Sequence, residues 1–216
     1  MIGEIPESKY TKKNYTLWYA QPEKYLKLLK NIDCLVGSLN PAKGAFQVSV
    51  IRFVSIGTCF KYDLSNGDLS INTPLKPTTP YASAKARLYI FLSQLLPSQL
   101  LKFLWCRLFY LYGEDEKRLV PYTHKQLSQG KKVELTGGEQ VCDFLDVAEV
   151  GKLIVDVATG KKNSPINICS GTPTSIRQLA EKITGEYGRR DLLVLGSRSD
   201  NLVDLPRVVG LGNVNH

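Results

Sequence analysis

Residues 48–56, Val-Ser-Val-Ile-Arg-Phe-Val-Ser-Ile, form a near-continuous β-branched run that stops at Gly57-Thr58. Such a run suits a strand covered on both faces, and a sheet covered on both faces needs helices on either side. The neighbouring sequence supplies them. From 25 to 47 the apolar residues Leu26, Leu29, Ile32, Leu35 and Leu39 recur at three- and four-residue steps, the spacing of an amphipathic helix, and Pro41 is expected to end or kink it. Tyr81 opens a second helix to about Leu95, Pro97 marks a turn, and 101–109 reads as another buried strand. Residues 15–20, before Pro22, also suit a strand.

After Gly113 the texture changes. Helices are expected over 118–129 and 147–159, and strands over 133–136, 165–169 and 192–195. Ser175 to Gln178 is a Ser-x-x-Gln capping box opening a helix that ends near Gly188. Alternating strands and helices argue an α/β domain with a parallel sheet over 1–113. Residues 114–216 are then mostly a smaller mixed α/β lobe, with some segments returning to the main sheet.

The chain of 216 residues carries a formal charge of +8, which favours an anionic partner. Its basic residues are scattered; the densest group, Lys131 and Lys132 with Lys125, lacks the interleaved aromatics of a nucleic-acid site and reads as a solvated surface. Five cysteines without a Cys-x-x-Cys pair, and only two histidines, offer no metal site and suit a reduced, cytoplasmic protein. The first residues have neither the basic start nor the apolar run of a signal peptide. The apolar stretch 88–112 is interrupted by Gln94, Pro97, Gln99, Lys102 and Arg107, so it is not read as a membrane span.

The chemistry concentrates in Tyr81-Ala-Ser-Ala-Lys85. Residues four apart share a helix face, so the phenol and the ammonium can address one site. A phenol titrates near 10, and a fixed positive charge nearby favours its anion. It can then exchange a proton with a substrate hydroxyl or carbonyl. The strand ending in Ser55-Ile-Gly-Thr58 offers a hydroxyl to the same substrate oxygen.

Five segments occur in one order: Arg52-Phe-Val-Ser-Ile-Gly-Thr58, Pro80-Tyr-Ala-Ser-Ala-Lys85, Arg107-Leu-Phe-Tyr-Leu-Tyr-Gly113, Asp143-Phe-Leu-Asp-Val147 and Asn167-Ile-Cys-Ser-Gly171. Together they resemble the extended short-chain dehydrogenase/reductase family of NAD-dependent sugar-nucleotide epimerases and dehydratases, over about residues 14 to 205. The resemblance implies a Rossmann-like sheet and NAD or NADP as cofactor. Tyr81 would be the catalytic acid/base. Lys85 would lower its pKa and hold the nicotinamide ribose, so that both residues touch the cofactor. Thr58 would orient the substrate, with Ser55 the alternative. Arg107 would lie near the nucleotide-sugar substrate, or form a structural ion pair beneath the loop. Asn167 and Ser170 would shape a turn. The resemblance also implies a homodimer built on the helix from Tyr81 and the helix over 25–47.

Two departures qualify this. Cys142 stands where the family places an arginine on the nucleotide diphosphate, leaving Lys131 or Lys132 as less directional substitutes. No glycine-rich strand-turn-helix for a pyrophosphate occurs; the nearest approach, Gly185 with Gly188, falls at a helix end. The sheet is therefore expected to lack its first βαβ units. The competing reading is a catalytically inactive remnant or binding module of the same family.

Overall fold

The computed structural model of the protein describes residues 22–48, 50–98, 100–115, 118–161, 165–199 and 205–212. The strand expected over 15–20 lies outside them. Helix α1 (Pro22–Gln47) leads into strand β1 (Arg52–Thr58), a single 3-10 turn (Cys59–Lys61), short strand β2 (Asp68–Leu69), helix α2 (Pro80–Ser98) and strands β3 (Lys102–Leu108) and β4 (Tyr110–Tyr112). Helix α3 (Leu119–Ser128), β5 (Val133–Glu134), β6 (Val141–Asp146), α4 (Val147–Thr159) and β7 (Ile166–Ile168) follow. The remainder is β8 (Pro173–Ser175), α5 (Ile176–Glu186), β9 (Leu193–Val194) and β10 (Arg207–Gly210).

Strand alternation on β1 and β3 sends side chains to two opposite cores. Phe53, Phe103 and Trp105 face Leu88, Leu92 and Ala42 of α1 and α2, while Val54, Leu104 and Cys106 face Val150 and Val157 of α4. The parallel sheet β1-β3-β7 is thereby sandwiched between helix layers, the Rossmann-like arrangement. Among the described residues β1 pairs only with β3, so it is an edge of this sheet. Arg52 ties the far layer down by donating to the carbonyls of Val157 and Ala158, at 2.9 Å each, where α4 ends. Gly57 admits the neighbouring indole: a Cβ there would lie 2.3 Å from Trp105 Nε1.

A second sheet runs β2-β10-β6-β4, with β8 antiparallel on β6, and β5 pairs with β9 beneath α3 and α5. Of the strands and helices after residue 114, β7 and α4 belong to the first sandwich. The capping box is formed as written: Ser175 Oγ accepts from Gln178 N at 3.0 Å and Gln178 Oε1 accepts from Ser175 N at 2.8 Å.

Three boundaries differ from expectation. The strand begins at Arg52, not Val48, because Val48 and Ile51 find no cover and remain 69% and 76% exposed. Pro41 lies within α1, which continues to Gln47; burial of Ala42 and Ala45 against the α2 core holds that last stretch helical. Likewise α2 runs through Pro97 to Ser98. It closes with Leu101 N donating to Leu96 O and Leu100 N to Pro97 O, at 3.1 and 3.0 Å, which puts Leu100 at φ 62°. That left-handed position favours glycine. Leu100 is also 94% exposed and packs on little. Leu100→Gly is therefore expected to stabilise the fold by about 0.5–1 kcal/mol, the relief of left-handed strain less glycine's entropy. Urea unfolding of the two proteins checks it.

Candidate active site

Helix α2 starts with a defined entry. Thr79 Oγ1 accepts from Ala82 N at 3.2 Å, and Pro80 occupies the first helical position, where its missing N–H costs nothing. Tyr81 thereby sits in the first turn, 46% exposed. One turn on, Lys85 crosses to the sheet, its Nζ donating to the carbonyl of Ile56 at 3.1 Å. Phenol and amine line one cavity of about 400 Å³, whose opposite wall is α1, with Asn31, Cys34 and Ser38. That wall is the part sequence reasoning missed. Residues 31, 34 and 38 recur at helical steps as a small polar stripe on a helix read only for its leucines.

The electrostatics depart from the expected pairing. Burial, followed by the Cys59 and Cys34 thiols, pushes the Tyr81 phenol above its ordinary value. Burial lowers the Lys85 ammonium. Lys85 is aimed at the Ile56 carbonyl, and it does not hold the phenol down in this structure.

Of the other expected residues, Thr58 ends β1, the strand that anchors Lys85, whereas Ser55 and Arg107 do not line the cavity. Thr58 is 6% exposed; its hydroxyl accepts from Phe60 N at 3.3 Å and is a hydrogen-bonding neighbour of the Cys59 sulfur. Ser55, three residues back on the same strand, faces the opposite side of the sheet beside Trp105. Arg107 is 2% exposed, away from the cleft surface. It donates to the Tyr62 hydroxyl and to Ile71 O, and its guanidinium lies 4.5 Å from the Tyr62 ring centroid. In this structure it is interior scaffolding held by rings and oxygens. Asn167 continues that chain, accepting from Tyr62 Oη at 2.7 Å and donating to Leu69 O at 2.9 Å. Ser170 donates to Asp143. Cys142 is 3% exposed inside β6, and Lys131 and Lys132 are exposed in the lobe.

The sequence model of the NAD dependent epimerase/dehydratase family matches residues 22–169, more than half of the chain. The chain belongs to that family. A dTDP-6-deoxy-L-talose 4-dehydrogenase (NAD(+)) of Aggregatibacter actinomycetemcomitans is 26% identical across 76% of this chain and 70% of that protein. A UDP-N-acetylglucosamine 4-epimerase from Methanobrevibacter ruminantium, solved with UDP-N-acetylmuramic acid, superposes with a TM-score of 0.76 at 22% identity, covering 91% of this chain and 64% of that one. The UDP-glucose 4-epimerase of Thermus thermophilus, solved with NAD, gives 0.70 at 20% identity over 82% and 60%. The chain thus spans less than two thirds of those two epimerases. Among the described residues of this epimerase/dehydratase family member, no glycine opens a helix, and the start of α4 is filled by Asp146, whose carboxylate accepts from Ala148 N at 2.8 Å. Tyr81 and Lys85 offer a hydroxyl and an amine on one cavity wall, groups of the kind that could meet ribose hydroxyls, whereas no described helix start offers a glycine turn to a pyrophosphate.

Proposed function

We propose that this chain carries the catalytic side of an NAD(P)-dependent epimerase, dehydratase or reductase acting on a nucleotide-linked sugar. One observation carries the reading: Tyr81 and Lys85 share a cavity wall, with Lys85 anchored at the end of the strand that closes on Thr58. NAD(P), when bound, supplies the hydride acceptor or donor. The protein's own part is to move a proton and hold an oxygen. Tyr81 Oη gives or takes the proton of the sugar hydroxyl, and the Thr58 hydroxyl donates to the same oxygen and fixes its direction. Lys85 presents its ammonium to the ribose hydroxyls, tethered by Ile56 O. The net charge of +8 attracts the anionic diphosphate. Ile32 and Val36 on α1, and Ile90 and Phe91 on α2, are exposed apolar residues on the two helices through which a homodimer would form.

The second reading, a binding module without redox activity, is favoured by the lack of a pyrophosphate turn among the described residues and by the raised phenol. One experiment separates the two. The protein is mixed with NAD or NADP and with UDP- and dTDP-hexoses; reduced nicotinamide is followed by absorbance and sugar configuration by NMR. The enzyme reading expects a cofactor-dependent rise in melting temperature and conversion of one nucleotide sugar. A thermal shift with nucleotide sugar alone and no conversion supports the binding module. No shift at millimolar cofactor and no product rejects the enzyme.

A further inference from the structure

Lys61 closes the 3-10 turn that follows Thr58, and its side chain is fully buried. Its Nζ lies 3.6 Å from the ring centroid of Tyr89 on α2 and 4.7 Å from that of Trp105 on β3, and it has no hydrogen-bond partner. Among the described residues no carboxylate pairs with it. The charged group that β3 brings is of the same sign: Arg107, also buried, with Nε lacking a hydrogen bond. From α2 the ionisable group facing it is Tyr89, and from its own segment Cys59 and Tyr62, both pushed upward by burial and so uncharged. The adjoining loop offers Lys76, whose backbone N–H donates to Lys61 O while its ammonium pairs with Asp63 at 3.4 Å.

An ammonium in this position meets two ring faces and a second cation, with no oxygen to accept any of its protons. Ring faces offset part of the cost of removing a charge from water, but they cannot replace a hydrogen-bond acceptor or cancel the repulsion from Arg107. We propose that Lys61 is an uncharged amine in the native fold, and that its protonation in acid frees the turn Cys59–Lys61, together with Thr58, from the underside of α2. Burial, then Arg107, lowers this amine to about 6. Because β1, the turn and α2 meet here, acid would loosen the wall of the cleft from within. The switch does not require Thr58 to act in catalysis, so it stands or falls independently of the enzymatic reading.

The sign follows from proton counting. Between the folded value and the ordinary lysine value, the opened state binds a proton that the native state does not. Stability therefore rises with pH across that window, and it levels off below about 6, where both states are protonated. Native-state amide exchange of the full protein, corrected for intrinsic rates, reads the turn through Phe60 N, bonded to Thr58 Oγ1, and Tyr62 N, bonded to Cys59 O. From pH 8 down toward 6 their opening constant in the wild type, relative to Lys61→Met, is expected to rise by about tenfold per pH unit. Parallel curves for the two proteins would overturn the proposal. The wild type alone provides a second measurement in case the variant does not fold. The ¹³Cε resonance of Lys61 should titrate near the lowered value, and a midpoint near 10 would refute it.

Discussion

Tyr81→Phe is expected to lower turnover by about 10²–10⁴ while leaving melting temperature and nucleotide-sugar affinity nearly unchanged. The substitution removes only an oxygen, from a side chain 46% exposed in the first turn of α2, whose entry is held by Thr79 and Pro80. On the proposed reading this hydroxyl exchanges the proton of the sugar, so its loss falls on the chemical step and not on binding. The pH dependence sharpens the test. With its pKa raised by burial and the nearby thiols, the phenol is protonated at neutral pH and ready to act as an acid. The reductive direction should therefore be nearly flat through neutrality. The oxidative direction needs phenolate and should climb steadily into the alkaline range. Steady-state rates in both directions from pH 6 to 10, with Tyr81→Phe as the control, decide it. A variant with unchanged turnover would remove Tyr81 from the mechanism.

The convergence of Tyr81 and Lys85 was legible because helical spacing alone puts two residues on one face. Bounds were legible where local signals agree: α4 covers the expected 147–159, and Ser175 with Gln178 forms the box its letters spell. What escaped depends on partners distant in sequence. The raised phenol reflects burial first, then Cys59 after β1 and Cys34 on α1, all of them products of packing. Strand β6 was missed because Cys142-Asp143-Phe144 puts a charge inside a strand, contrary to the apolar patterns that mark buried β structure. Lys61 has the letter of a surface residue, and nothing local shows that Tyr89 and Trp105 will close over it. Arg107 sat in a recognisable motif, but only the fold shows its guanidinium spent on Tyr62 and Ile71.

Asp143 carries the largest expected loss of stability. It is fully buried, and both of its oxygens are used twice. Oδ1 accepts from Ser170 N at 2.7 Å and Ser170 Oγ at 2.8 Å, and Oδ2 from Gly171 N at 2.9 Å and Gly210 N at 3.2 Å. One carboxylate thereby ties β6 to the loop between β7 and β8 and to the end of β10. Asp143→Asn preserves size but sets an amide N–H against backbone N–H donors in either orientation, so donors are left facing donors. At about 1–3 kcal/mol for each buried group left unsatisfied, the cost should reach about 3 kcal/mol or more. For a chain of this length that is a fall of about 6–12 °C in melting temperature. The adjacent motif residue gives the contrast. Asp146 accepts one bond, from Ala148 N at the start of α4, a role asparagine performs nearly as well. Asp146→Asn should therefore change stability by only a few tenths of a kcal/mol. Calorimetry of the two variants side by side tests the assignment, since equal losses would mean that Asp143 is no more than another polar residue on its strand.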